Sequence, residues 1–423
     1  MSLPAGITLA ERPRTSSLLT SLACSGVSVR PRQPHRGSLR RGRFTGTAET
    51  YPIGTSSWYL LGVDVSPFPY QGPLEPSEVS GRDGLITDLV TRITRRKVTA
   101  LLGPRRYGKT SVLRRVASEL TEVETVWVDL YEVSSLADVA VRFDTALAGA
   151  RGRLAELARR YSLEVSLNLG GLKVSLAGPA RNRPDPALSF ALLLEVLVRT
   201  ATSTPTLLIV DEFSSVSKVA GAAGAMRTAF QHHYRDFGLV FAGSQPSMMR
   251  SLFTHQPQPF YGQADLVDIG PLDAAAVDDI VGRGFAGTER RAGRLGQLIF
   301  DYSGGHPQRS MQLADCCWEN TPPGGFGHDA WADGLAQMRR LCADPMERMF
   351  SDHTASERQT LRALAVSGSI FGLEADLLDL AKSTAQGART TLIDSGDLVA
   401  DDAGKLRVTD PALADWIRER FPL

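Results

Sequence analysis

Apolar positions along this chain repeat with two alternating periods. Leu85, Ile86, Leu89, Val90 and Ile93 recur at helical spacing, and the run Val98-Thr99-Ala100-Leu101-Leu102 that follows reads as a buried strand. A glycine-bearing loop then leads into a helix predicted from Lys109 to about Leu120. Val126 to Leu130 reads as a second strand, and Ala137 to Tyr161 as mainly helical. Strand, helix and strand in this order predict an α/β domain with a parallel sheet. Glu164 to Leu169 and Leu172 to Leu176 alternate apolar with polar residues around Gly170-Gly171, which predicts a peripheral hairpin over about 164–176. The sheet is expected to resume after a helix at Leu188 to Ala201, with buried strands at Thr206 to Val210 and Leu239 to Ala242. From Asp273 to about Asp344 the pattern is helical without a convincing strand. From Ser356 three short helical stretches precede Leu398-Val399-Ala400, a turn at Asp401 to Gly404, and Leu406-Arg407-Val408. Three helices closed by a small hairpin describe a winged helix, a variant of the helix-turn-helix.

The first 62 residues lack this order. Residues 1–50 carry eight Arg against Glu11 and Glu49, a local balance of +6 in a stretch rich in Pro, Ser and Gly, which is not expected to bury a core. Ser66-Pro67-Phe68-Pro69-Tyr70 through Pro76 reads as a linker, with order from Gly81-Arg82-Asp83. At 423 residues the chain predicts two or three domains, and 43% hydrophobic with 22% charged residues suits a soluble globular protein. A net charge of +1 offers no global attraction to nucleic acid or acidic lipid, so a local patch would have to hold such a partner. Cys24, Cys316, Cys317 and Cys342 show no Cys-x-x-Cys pair and no metal-type spacing with His, which fits a reducing cytoplasm. No run of eighteen apolar residues occurs, so no bilayer-spanning helix is expected. Arg12, Arg14 and the stretch Ser16 to Cys24 loosely suggest a secretory signal, but the apolar part is short and broken by Ser and Thr. A disordered or non-native extension is the expectation there.

The chemistry concentrates at three strand ends. Gly103-Pro104-Arg105-Arg106-Tyr107-Gly108-Lys109-Thr110 matches Gly-x4-Gly-Lys-Ser/Thr, the P-loop pattern. With a strand before it and a helix after it, the loop's N–H groups and the positive end of the helix dipole converge where phosphates would sit. Residues Gly103 through Ser111 are therefore the expected nucleotide-binding set. Gly103 and Gly108 permit close approach, Lys109 would reach the β- and γ-phosphates, and the Thr110 hydroxyl would ligate Mg²⁺. The apolar strand Leu207 to Val210 ends in Asp211-Glu212. Burying an unpaired charge is expensive, so carboxylates in that place are expected to be used. Asp211 would help hold Mg²⁺ and Glu212 would polarise the attacking water. A lone Asp-Glu pair at a strand end is more often a solvated turn, but two motifs in the right order reverse that judgement. The strand Val240 to Ala242 ends at Gly243-Ser244. If it lies beside the P-loop strand, Ser244 could sense the γ-phosphate or orient the water, and a plain strand-end Ser is the alternative. Asn168, Asn182 and Asn320 begin no Asn-Lys-x-Asp motif, so adenine is favoured over guanine.

Together these motifs resemble the archaeal-type ATPases of the STAND division, relatives of AAA+ proteins with many bacterial members, over roughly residues 63–423. Phe68-Pro69 with Gly81-Arg82-Asp83 is similar to the family's first box, Gly-Pro-Arg-Arg-x-Gly-Lys-Thr at 103–110 to its P-loop, and Asp211-Glu212-Phe213 to its second motif. Gly243-Ser244 with Met248 and Met249 resembles its sensor segment. Gly304-Gly305-His306-Pro307 resembles the lid motif whose Pro abuts adenine, and Val408-Thr409-Asp410-Pro411 with Trp416 the end of its winged-helix domain. The resemblance implies Gly81, Arg82 and Pro307 as further nucleotide contacts. It also implies an α/β fold, a P-loop NTPase parallel sheet with a helical lid and a C-terminal winged-helix domain. The expected division is a disordered basic tail over 1–62, a Pro-rich linker over 63–80, an ATPase domain over 81–283, a lid over 284–345 and a winged helix over 346–423. One departure stands out: the family usually has Leu-Tyr-Gly-Arg where this chain has Phe260-Tyr261-Gly262-Gln263. An arginine that stabilises transferring phosphate can be worth about 10³-fold or more, so its loss would slow hydrolysis. Arg105, Arg106 and Arg309 are candidates to compensate, with surface Arg as the default. His306 could contact phosphate or fix its loop. His232-His233 reads as helix surface and Cys316-Cys317 as core packing.

The function expected on these grounds is a cytoplasmic, Mg-dependent ATP hydrolase acting as a nucleotide-driven switch of the AAA+/STAND type. ATP and ADP would be its ligands, another protein or a second copy its partner, and no membrane is involved. A DNA-binding ATPase is the alternative, through the winged helix or the basic tail. Charge disfavours it, because residues 356–423 carry eight basic and eleven acidic side chains, a balance of −3, and the expected recognition helix near Ala385 to Ile393 holds Arg389 alone. An ATP-binding scaffold with little turnover is a third reading, made plausible by Gln263.

Overall fold

The computed structural model describes residues 65–168, 185–400 and 404–422. The basic tail, the second arm of the expected hairpin and most of the turn before Leu406 lie outside them. The sheet domain runs α1 (Asp83–Thr94), β1 (Thr99–Leu102), α2 (Lys109–Glu119), β2 (Glu124–Asp129), α3 (Leu136–Ala148), α4 (Gly152–Asn168), α5 (Pro186–Ser203), β3 (Thr206–Asp211), α6 (Ala222–Phe230), β4 (Gly238–Gly243), α7 (Pro246–Thr254) and β5 (Asp265–Asp268). The strands form one parallel sheet in the order β2-β3-β4-β1-β5. Every residue of β1, β3 and β4 is buried, which is why these strands read as continuous apolar runs. Because all the strands point one way, the residues that follow β1, β3 and β4 emerge together at one edge, where ligands of open α/β sheets bind.

Three expectations need correction. The fifth strand, β5, was not foreseen: it is four residues long, lies at the sheet edge and offers only Leu266 and Val267 between two exposed Asp. Residues 164–168 are the last turns of α4 rather than a strand. Leu154, Ala158 and Val165 are buried with Tyr161 packed beside them, so the helical period continues through what looked like alternation. The expected boundary at 345/346 falls inside α11, as the next paragraph describes. Among the described residues one helix, α5, is long and apolar enough to cross a membrane, but nine of its side chains are buried and it packs against α3, α4 and α6 as a core helix.

Beyond the sheet lie α8 (Ala274–Ala286), α9 (Leu295–Ser303), α10 (Pro307–Glu319) and α11 (Trp331–Ser351). These are followed by α12 (Ala355–Ser367), α13 (Leu373–Leu377), α14 (Lys382–Ser395), the antiparallel pair β6 (Leu398–Ala400) and β7 (Leu406–Val408), and α15 (Pro411–Arg420). α11 runs unbroken across 345/346 with Pro345 inside it. Val281, Leu295, Leu313, Met338, Phe350, Leu361 and Ile417 belong to a single buried cluster, so α8–α11 and the C-terminal segment share one core.

The Pro-rich segment is tied down rather than loose. Phe68 is 2% exposed, joins that shared core and meets the Phe285 ring at 5.7 Å. It lies over Gly284, where a Cβ would come within 2.3 Å of the ring. The Leu74 N–H donates to Ser111 Oγ at 3.0 Å, Arg115 to the Pro76 carbonyl at 3.0 Å and Gln308 to the Tyr70 carbonyl at 3.2 Å. Residues 66–78 thus strap α8 and α10 to the helix that follows the P-loop. Phe68→Ala is expected to cost about 3 kcal/mol of stability by emptying this socket. Chemical denaturation measures it, and an unchanged midpoint would contradict the strap.

Candidate functional site

The P-loop leaves β1 through a glycine that nothing larger could replace: a Cβ on Gly103 would fall 2.2 Å from the Ile269 side chain. Arg106 and Gly108 both have positive φ, +67° and +86°, so the loop folds tightly back before α2 begins. Lys109 is 5% exposed, and its ammonium donates to the carbonyls of Gly103 at 2.8 Å and Pro104 at 2.9 Å. Burial pushes its pKa down to about 8, against the upward pull of Glu212 and Asp211. The Thr110 hydroxyl donates to Asp211 Oδ2 at 3.0 Å, across from β3. Asp211 is 6% exposed, and its burial, with the neighbouring Glu212 charge, raises its pKa above the usual carboxylate range. Glu212 sits in left-handed backbone at φ +51°. Its carboxylate accepts from Ser244 Oγ at 2.7 Å and from the Ser244 N–H at 3.3 Å. Ser244 is there because β4 pairs directly with β1, the neighbour relation on which its assignment depended.

Lys109, Thr110, Asp211, Glu212 and Ser244 are therefore one constellation. Its donor set fits Mg²⁺: a hydroxyl and a carboxylate, both hard oxygens and already in contact, match an ion that takes one or two protein ligands and completes its shell with phosphate and water. Among the described residues no group of three or more His, Cys, Asp or Glu could hold a metal by itself, which leaves this pair as the candidate.

Other expected residues take different parts. Ser111 Oγ accepts the Leu74 N–H and so anchors the strap. Tyr107 is buried edge-on against His306, with ring centroids 5.0 Å apart. Gly81, at φ +68°, lies where a Cβ would meet the Ala276 Cβ at 2.6 Å, and Arg82 donates to the carbonyls of Gly270 at 2.7 Å and Pro271 at 3.2 Å. Burial lowers the Arg82 pKa to about 10. This pair thus brackets the joint between β5 and α8. Pro307 opens α10, and His306 caps that helix, its Nδ1 accepting the Arg309 N–H at 3.3 Å. Burial pulls His306 down to about 4, so it is neutral and fixes its loop. Gln263 bonds the Tyr261 carbonyl in the loop ahead of β5. His233 pairs with Asp236, and burial pushes Cys316 and Cys317 up to about 12, as core thiols.

A polar cluster beside the loop was not foreseen. Arg309 of α10 donates from Nε and Nη2 to the two Asp410 oxygens at 2.8 and 2.6 Å, both residues being buried. Asp410 also caps α15 and lies 3.6 Å from Arg106 of the P-loop. Burial alone would raise the Asp410 pKa, but the Arg309 hydrogen bonds and charge hold it below the usual range. A second contact joins α14 to the site, where Ser247 donates to Asp394 and a Cβ on Gly396 would lie 3.5 Å from the Ser244 carbonyl. The Asp-Pro start of a helix was the visible signal for Asp410, and its partner a hundred residues away had none.

No protein-family model matches the chain, and no curated protein matches it. Among solved structures it is similar to the Walker-type ATPase PABY2304 of Pyrococcus abyssi, at 16% identity and a TM-score of 0.64, covering 83% of this chain and 99% of that one. It is also similar to the ORC2 protein of Aeropyrum pernix in its ADPNP–ADP complexes, at 15% identity and a TM-score of 0.50, covering 83% and 96%. The architecture is that of a P-loop NTPase. At these identities the likeness is one of fold.

Removing one partner of a buried ion pair strands the other charge. Asp410→Ala is expected to lower stability by about 3 kcal/mol by leaving Arg309 uncompensated. Urea denaturation reads this, and a midpoint equal to wild type would refute the assignment.

Proposed function

We propose that this protein is an ATP-binding, Mg²⁺-dependent ATPase that works as a nucleotide-driven switch of the AAA+/STAND type. The observation that carries this reading is the meeting of Lys109, Thr110, Asp211, Glu212 and Ser244 at adjacent strand ends. Loop amides and Lys109 would bind the β- and γ-phosphates, the Lys109 ammonium exchanging two carbonyl acceptors for charged ones. Thr110 and Asp211 would hold Mg²⁺, which neutralises phosphate charge when bound. Glu212 would take a proton from the attacking water as the water oxygen bonds to the γ-phosphorus. The bond to the bridging oxygen breaks, and its electron pair stays on ADP. Ser244 already bonds the Glu212 carboxylate, so it orients this base. Gly81, Arg82 and Pro307, at the joint of sheet and lid, would flank the base of the nucleotide.

Helices α12, α13 and α14 with the β6–β7 pair support a winged-helix reading of the C-terminal segment. Its contacts through Asp410 and Asp394 would transmit phosphate arrival to that segment. The DNA-binding alternative is disfavoured, because α14 carries only Lys382 and Arg389 as basic residues and its C-terminal end packs against α7. A protein partner or a second copy suits it better, and free buried cysteines suit a cytoplasmic setting.

Lys109→Ala is expected to weaken ATP binding about 10²-fold, since it removes charge-assisted hydrogen bonds to phosphate. Glu212→Gln is expected to keep affinity while lowering kcat by about 10²-fold or more. Calorimetry and phosphate release separate the two, and unchanged ATP affinity in Lys109→Ala defeats the reading. The depressed Lys109 pKa adds a pH test. Phosphate favours the charged form, so binding raises a pKa that starts at about 8. Affinity should therefore fall as pH rises above 8, with proton uptake on binding near that pH. Calorimetry in buffers of different ionisation enthalpy detects the uptake, and its absence would contradict the buried lysine's role.

A further inference from the structure

Phosphoryl transfer builds charge on the γ-phosphate oxygens, and an arginine placed there is worth about 10³–10⁵-fold in rate. Gln263 brings no charge to the loop ahead of β5, so a cation at this site would come from other residues. Two of the three candidate arginines are committed. The Arg309 guanidinium is filled by Asp410 on one side and Gln312 on the other. Arg106 leans to the same Asp410.

Arg105 is different. It is exposed, and no ion pair engages it among the described residues. Its guanidinium lies over the Tyr131 ring, 5.7 Å from the centroid. That ring stands just beyond β2, whose Asp129 pairs in register with Asp211. The Tyr131 N–H donates to Asp129 Oδ1 at 2.9 Å, its carbonyl accepts from Arg142 at 3.1 Å, and the Leu130 N–H donates to the Asp211 carbonyl at 3.0 Å. The platform is thus tied at the edge of the sheet that presents Asp211 and Glu212. Lys109, lowered chiefly by burial, also feels the Arg105 charge.

We propose that Arg105 is the catalytic cation of this site, parked on Tyr131 and delivered in cis to the γ-phosphate oxygens as the bond to the β-phosphate breaks. The inference rests on the ATPase reading given above. Arg105 exchanges no proton: water oxygen joins the γ-phosphorus, Glu212 accepts the water proton, ADP keeps the electron pair, and Arg105 offsets the charge that spreads over the three equatorial oxygens. Tyr131 is its positioning residue, because a cation stacked on a ring keeps its N–H donors free at the edge.

The test uses the full chain as wild type, Arg105→Ala, Arg105→Lys and Tyr131→Ala. It reads phosphate release at saturating Mg²⁺ and ATP, and ADP binding with and without aluminium fluoride, which mimics the transferring phosphoryl group. Arg105→Ala should lose about 10²–10³-fold in kcat, retain ADP affinity within about threefold, and lose the tightening that aluminium fluoride gives wild type. Arg105→Lys should recover part of the rate, and Tyr131→Ala should fall about tenfold in kcat with ADP binding unchanged. Because Arg105 is exposed, its variants should melt with wild type. Arg105→Ala turning over within about threefold of wild type overturns the proposal, as does a parallel loss of ADP affinity and kcat, which marks ground-state binding only. A wild type that binds ADP but releases no phosphate overturns the ATPase reading and this inference with it, and the wild-type arm alone reveals that outcome.

Discussion

A charged ammonium held away from water shapes this site. The Lys109 side chain is 5% exposed, and its partners are two loop carbonyls that lie within six residues of it in the chain. Such an arrangement gives two of the three ammonium N–H groups an acceptor while burial disfavours the charge, and the pKa falls although Glu212 and Asp211 oppose the shift. Asp211 shows the mirror image: a buried carboxylate pushed upward, with the Thr110 hydroxyl and the Glu212 N–H as its neutral donors. A cation and an anion, each shifted in the direction of neutrality and set at the ends of β1 and β3 with β4 between them, suit the polyanion and metal proposed for this site. On the proposed function a triphosphate would supply negative charge to the lysine and Mg²⁺ positive charge to the aspartate, so that ligand binding would relieve both.

The same loop is also the hub for the rest of the molecule. Gly103 abuts Ile269, Tyr107 packs on His306, Arg106 faces Asp410, and Ser111 holds the N-terminal strap. The sheet, the start of α10, the C-terminal segment and the strap therefore all touch residues within 103–111. Because α8–α11 and the C-terminal segment share one core, they would respond together. A buried ion pair is weak evidence for net stability, yet Arg309–Asp410 specifies one arrangement of α10 against α15 and brings that arrangement to the edge of the loop.

Much of this was legible in the sequence, for a physical reason. A buried parallel strand is a continuous apolar run, so Leu102, Val210 and Ala242 announce where β1, β3 and β4 end, and the polar residues after them stand out. Phosphate chemistry at such ends is local, and a P-loop is a local motif. What stayed hidden was either short or distant. β5 offers two apolar residues at an edge, too few for a period to show. The end of α4 alternates apolar and polar residues while its buried positions keep helical spacing, and a hairpin signal at two adjacent glycines outweighed that longer pattern. α11 passes through Pro345, which in sequence signals a break. Arg309 and Asp410 lie about a hundred positions apart and meet only because the lid folds against the C-terminal segment.

The central claim is that the lysine of the loop and the carboxylates of β3 share one triphosphate-sized cleft. A crystal structure of the full chain with Mg²⁺ and a non-hydrolysable ATP analogue tests it most directly. The account predicts the phosphates on the amides of residues 103–110, the Lys109 ammonium moved from the Gly103 and Pro104 carbonyls onto phosphate oxygens, and Mg²⁺ at Thr110 on the side facing Asp211. A nucleotide seated elsewhere, or a Lys109 that keeps both carbonyls with the analogue bound, would contradict it.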